Sequence, residues 1–250
     1  MKLVNIAVKA ATLVLLAVCG TMVIFDSVNW MVTVAVGLIM ILSFPLSAIL
    51  HELGHTLFGA AVKIKVVPDG TVSNYLKQTF LNWWDASSCQ IIPKTDKNLR
   101  GRIIFTAVGG IAVNAIFIIL GIVALCVDAV PTELCAFLPA SFNLLALNAL
   151  PFNLVDGKSD GRVILDLIKN SDEAQVMLAV LQAQAQILSG KPISELDENL
   201  LFNLPQIRED DASFISLTEL RWQYYSAKGD TENAEKWRVR FEELKKEYLN

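Results

Sequence analysis

The chain of 250 residues is poor in charge: Asp, Glu, Lys and Arg make up 18% of it, against 54% hydrophobic residues. An ordinary soluble domain carries roughly 25% charge, so this composition disfavours a soluble globular enzyme, and it excludes a disordered chain. An excess of base is also missing. The 21 Lys and Arg face 25 Asp and Glu, for a net charge of −4, which leaves no electrostatic footprint for nucleic acid. Cysteine is sparse and unpatterned. Cys19, Cys89, Cys126 and Cys135 form no Cys-x-x-Cys pair, so they read as small apolar fillers rather than a disulfide or metal framework. Histidine is rarest of all, with only His51 and His55 in the whole chain.

What the chain has instead is long uncharged runs. Ser27 to Leu50, Ile103 to Val127 and Leu134 to Val155 contain no Asp, Glu, Lys or Arg. Each exceeds the roughly 20 residues that a helix needs to cross a bilayer. Leu3 to Phe25 is a fourth candidate, interrupted only by Lys9. With no clear small-x-small cleavage site before Asp26, this first helix is expected to be retained rather than removed as a secretory signal. The expectation is an all-α membrane protein with about four transmembrane helices, at 5–25, 30–61, 103–127 and 134–155. A transmembrane core over 1–160 is followed by a small helical cytosolic domain over 161–250.

Charge on the connections orients the spans. The segment from Lys63 to Arg102 carries seven lysines and arginines, whereas Asp26 to Asn29 and Asp128 to Glu133 carry none. Basic residues stay on the cytoplasmic side. This predicts a multi-pass protein of the cell membrane with both termini and the 63–102 loop in the cytoplasm. The second span is too long for one crossing, so either it emerges from the membrane and continues or Pro45 kinks it. Residues 51–55 then lie toward its cytoplasmic end. The 63–102 loop, with Pro68-Asp69-Gly70 and Trp83-Trp84, is too apolar for a free linker and is expected to hold a short hairpin or interfacial segment.

From Gly161 onward the composition turns polar, with 11 bases and 16 acids. Apolar residues recur at helical spacing in Val163-Ile164-Leu167-Ile168 and Val176-Met177-Val180-Leu181. The stretch from Phe214 to Tyr248, broken at Gly229-Asp230, predicts a helix hairpin with Trp222, Tyr225, Ala234 and Trp237 facing inward. It is similar to a single tetratricopeptide-type unit. Asp230 or Thr231 can cap its second helix. Such a tail could engage a protein partner.

The chemistry concentrates in His51-Glu52-Leu53-Gly54-His55. Spacing i, i+4 puts both imidazoles on one face of a helix, where they can bind one Zn²⁺ with Glu52 beside it as general base. Ionisable side chains at membrane depth are costly and mark function. Two histidines leave a catalytic zinc short of a protein ligand, and a carboxylate at the cytoplasmic exit of the fourth span can supply it. Asp156 and Asp160 both qualify. Asn148 and Asn114 are amides at membrane depth that can hold a substrate backbone or donate to an oxyanion. Gly109, Gly110 and Gly121 allow close helix packing.

Three elements carry a resemblance: the HELGH segment, Gly109-Gly110-Ile111-Ala112-Val113-Asn114, and Asn148-Ala149-Leu150-Pro151 with an Asp-Gly after it. Together they resemble the site-2 protease family of intramembrane zinc metalloproteases. Ser159-Asp160-Gly161 and the helical tail are similar to one bacterial branch of it. The resemblance implies zinc held by two His and one Asp, and hydrolysis of membrane-associated protein or peptide substrates at or within the bilayer. Asp160 matches the family's aspartate through the Gly161-Arg162 that opens the next helix. Asp156 matches it by spacing from Asn148 and Pro151, and stays as the alternative. The resulting expectation is His51, His55 and Asp160 on Zn²⁺, with Glu52 and Asn148 catalytic. The rival expectation is a non-catalytic metal-binding scaffold that recruits a partner through its tail.

Overall fold

A computed structural model describes residues 2–26, 30–68, 89–127, 132–154 and 157–248. The short connections 27–29 and 128–131, the Trp83-Trp84 pair and Asp156 lie outside the described residues. The described chain is predominantly helical, with two small two-stranded sheets.

Three helices are long and apolar enough to cross a membrane: α1 (Lys2–Asp26), α2 (Trp30–Ala61) and α3 (Leu99–Cys126). At 1.5 Å per residue each exceeds the roughly 30 Å hydrocarbon layer. Their outward faces carry large apolar side chains, among them Phe25 at 90%, Trp30 at 70% and Ile41 at 65% exposure. Water would not tolerate so broad an apolar surface, and these helices fit a membrane protein. Hydroxyls within them bond their own helix: Thr12 donates to the Val8 carbonyl (2.8 Å), Ser43 to Met40 (2.7 Å) and Thr56 to Glu52 (3.0 Å). A carbonyl one turn back gives such groups a partner within an apolar setting. The single helix α2 runs through Pro45.

The fourth apolar stretch behaves differently. Thr132–Phe137 forms a 3₁₀ turn, and α4 (Leu138–Ala149) continues from it with 12 residues. It stops at Leu150, whose backbone is extended ahead of Pro151, because proline disfavours helical backbone in the residue before it. Cys19 and Val23 of α1, Val36 and Met40 of α2, and Cys135, Ala136 and Leu138 of the turn and α4 share one buried cluster.

Between α2 and α3, β1 (Ile64–Pro68) pairs with β2 (Cys89–Pro93). After α4 comes a tight antiparallel pair, β3 (Asn153–Leu154) with β4 (Gly157–Lys158), in the register Asn153 to Lys158 and Leu154 to Gly157. The remaining helices are α5 (Asp160–Lys169), α6 (Asp172–Leu188), α7 (Asn199–Phe202), α8 (Ala212–Lys228) and α9 (Thr231–Tyr248).

The chain divides into two compact units. The first comprises Met1–Gly59, Val66–Gln90 and Phe105–Arg162; the second comprises Ala60–Lys65, Ile91–Ile104 and Val163–Asn250. The second unit has an apolar core of its own, with Val176, Leu201, Leu217, Tyr224 and Leu244 almost wholly buried. Its α8–α9 hairpin turns at Gly229, whose φ of 75° suits glycine. Asp230, not Thr231, caps α9, accepting from the Asn233 backbone N–H (3.1 Å). The inward positions differ from the sequence expectation. Ala234 is buried, but Trp222, Tyr225 and Trp237 are only half-buried, and Tyr224 takes the deepest place. Its hydroxyl donates to Glu198 (2.7 Å), a partner on a different element that no helical periodicity reveals.

Candidate metal centre

The site lies within the first unit and starts from two four-residue ladders. On α2, His51 and His55 sit one turn apart, 4% and 5% exposed, with Glu52 at 9%. On α3, Thr106, Gly110 and Asn114 also recur every fourth residue and so share one face. The two ladders meet. The His55 Nδ1 lies 2.9 Å from the Thr106 carbonyl, and the His51 Nδ1 lies 2.8 Å from the Asn114 amide. Between these two contacts is Gly110. A Cβ placed there would stand 2.5 Å from both His51 Cε1 and His55 Nε2, so only glycine lets the backbone of α3 pass beneath the imidazoles.

One residue away, Gly109 faces Gly54 of α2. A Cβ on either glycine would run into the other's carbonyl oxygen. This close crossing brings α3 near enough to hold both rings. Gly121 packs against Leu138 in the manner expected of a small packing residue. Gly110, by contrast, packs against the imidazoles themselves.

The third group arrives through the turn after α4. Ser159 organises that turn. Its hydroxyl donates to the Leu150 carbonyl (2.6 Å) and accepts from the Phe152 and Arg162 N–H groups (3.0 and 3.2 Å). Gly161 lies so close to the Ala149 carbonyl that a side chain would collide with it. These contacts fold the start of α5 back onto the end of α4 and deliver Asp160. Its Oδ2 lies 3.3 Å from His51 Nε2 and 3.3 Å from His55 Nε2. The two Nε2 atoms are 3.0 Å apart, on rings set nearly perpendicular at 88°. Burial opposes ionisation of Asp160, but the adjacent imidazoles of His51 and His55 outweigh it and hold the carboxyl below the usual carboxylate range.

These distances fit a shared cation. A tetrahedral ion with ligand bonds of about 2.0–2.1 Å separates its ligand atoms by about 3.3 Å. His55 has its Nδ1–H committed to a carbonyl, which turns the Nε2 lone pair toward the common point. His51, His55 and Asp160 can therefore hold a metal ion, and among the described residues they are the one such group.

The structure thus brings together the three expected ligands, with Glu52 on the same helical turn. Asn148 is 4% exposed, and its Nδ2 donates to the Leu144 carbonyl one turn back in α4 (3.0 Å). Sequence reasoning missed the Thr106 carbonyl, the position of Gly110 and the organising role of Ser159. The four-residue recurrence of Thr106, Gly110 and Asn114 was a readable signal for the first two. Nothing local to Ser159 revealed its three partners.

No family model matches the chain, and searches of curated proteins and of solved structures also return no match.

Proposed function

We propose that this chain is a membrane-embedded zinc endopeptidase that hydrolyses peptide bonds of membrane-associated proteins or peptides near the cytosolic face. The observation that carries the reading is the convergence of His51 Nε2, His55 Nε2 and Asp160 Oδ2 beside a buried glutamate. Two imidazoles and one carboxylate leave a tetrahedral zinc one position for chemistry, the pattern of a catalytic rather than a structural site. The resemblance to site-2 proteases supports the same assignment.

In this reading α1, α2, α3 and the turn with α4 make four crossings, and the basic segment from Lys63 to Arg102 holds both termini in the cytoplasm. His51, His55 and Asp160 would hold the ion, which when bound would supply Lewis-acid chemistry toward the scissile carbonyl and the attacking water. Glu52 takes the proton of the attacking water and returns it to the leaving amine. Asn148 exchanges its bond to Leu144 for the substrate backbone. A helical substrate unwinds locally, because its own hydrogen bonds cover the carbonyl to be attacked.

The rival reading is a metal-binding scaffold that works through its tail. It keeps the three ligands but has no use for Glu52, so that residue decides between them. With purified protein and a single-span substrate, Glu52→Gln is expected to retain about one zinc per chain and lose cleavage by about a hundredfold or more. His51→Ala is expected to lose both. A Glu52→Gln protein that cleaves normally removes the assigned base. A zinc-loaded wild type that cleaves none of a panel of single-span substrates favours the scaffold.

A further inference from the structure

The two imidazoles are braced in unlike ways. For His55 the brace is a backbone carbonyl, that of Thr106 at 2.9 Å, which can only accept. That ring therefore carries a proton on Nδ1, which leaves Nε2 as its atom for a metal. For His51 the brace is the side chain of Asn114, wholly buried at 0% exposure, whose Nδ2 lies 2.8 Å from Nδ1. The Asn114 Oδ1 has no hydrogen-bond partner. An amide can present either end, because a half-turn about its last side-chain bond exchanges NH₂ for C=O at almost no change of shape. An imidazole that binds metal through Nε2 carries its proton on Nδ1 and needs an acceptor there.

We infer that Asn114 is a positioning residue for the metal: its side-chain oxygen accepts the His51 Nδ1 proton when a cation is bound and so fixes the tautomer and ring angle of that ligand. This assignment rests on the metal-site reading above but not on proteolysis. Asn114 shares one α3 face with Thr106 and Gly110, so a single helix face cradles both rings and braces them at opposite ends.

The test is metal affinity, measured by competition against a chelating dye with Zn²⁺ and by the absorption spectrum with Co²⁺, on intact protein in detergent. Asn114→Leu keeps the volume, suits an apolar interior and removes the acceptor. It is expected to weaken Zn²⁺ binding about ten- to a hundredfold and to shift the Co²⁺ spectrum. Asn114→Asp supplies a stronger acceptor and is expected to restore wild-type affinity or better. Unaltered affinity in Asn114→Leu overturns the inference, as does failure of Asn114→Asp to restore it while the protein stays monodisperse. If the wild type itself binds no metal, the metal-site reading fails first and takes this inference with it.

Discussion

The two compact units solve the packing problem with opposite materials. In the first, glycines let helices approach closely, Gly54 on Gly109 and Gly121 on Leu138, and His51, His55, Asn114 and Asp160 meet as one polar group. In the second, large apolar side chains such as Leu217, Tyr224 and Leu244 fill the core while charges line the outside. The difference comes from the solvent each sequence is suited to. Lipid gives helices no hydrophobic reason to associate, so close backbone approach and polar contacts hold them together. Water drives apolar burial directly. One unit should therefore be sensitive to added methyl groups and the other to removed ones.

The strongest way to break this contrast is Gly110→Ala. The new methyl would sit among the ligand atoms of His51 and His55, and ligand positions tolerate displacement of only about 0.5 Å. Stoichiometric zinc binding is expected to vanish, as measured by metal analysis, while the thermal unfolding of the tail is unchanged. Full zinc occupancy in that variant would contradict the cradle.

Leu217→Ala is the reciprocal test. Leu217 is 2% exposed, and a buried Leu→Ala exchange costs about 2–5 kcal/mol. The tail should unfold at lower denaturant concentration while zinc affinity stays within error, since sites that share no partner behave additively. A parallel loss of zinc would mean that the units are not energetically separate.

The smallest expected effect is a pH dependence confined to the tail. The Tyr224 hydroxyl and then the Lys228 ammonium hold the Glu198 carboxyl below the usual carboxylate range. Because the folded value is depressed, the pair's contribution is complete above the unfolded value of about 4.3. It is lost as pH falls through the folded value. The Tm of the tail should drop on acidification, and drop less in Glu198→Gln. Identical acid sensitivity in the two proteins would leave Glu198 with no part in it.

The difference between the units also governs how much could be read without coordinates. His51, Glu52 and His55 were legible because helical periodicity alone puts them together, and of the four spans expected from the long apolar runs, three are helices long and apolar enough to cross a membrane. The tail hairpin and its glycine turn were legible too, but its innermost aromatic was not. Trp222 and Tyr225 satisfy the spacing as well as Tyr224 does, and the choice depends on how α8 packs against the residues of other elements in the tail's core, such as Val176 and Leu201. The third ligand was narrowed to two aspartates, with Asp160 preferred through the resemblance and Asp156 as the alternative. Asp160 reaches the histidines because Ser159 and Gly161 fold the turn after α4 back on itself. The register of such a turn depends on hydrogen bonds between residues several positions apart. Asp156 lies in the undescribed part of that turn.

By itself, then, the sequence determined which side chains share a helix face and which segments avoid water, since both depend only on neighbours a turn away. Only the tertiary structure decided that Thr106, Gly110 and Asn114 lie under the paired histidines and that Asp160 meets them. Those distances depend on how closely two helices cross and where a turn points, and glycine–glycine contacts and a serine's hydrogen bonds set them across the fold.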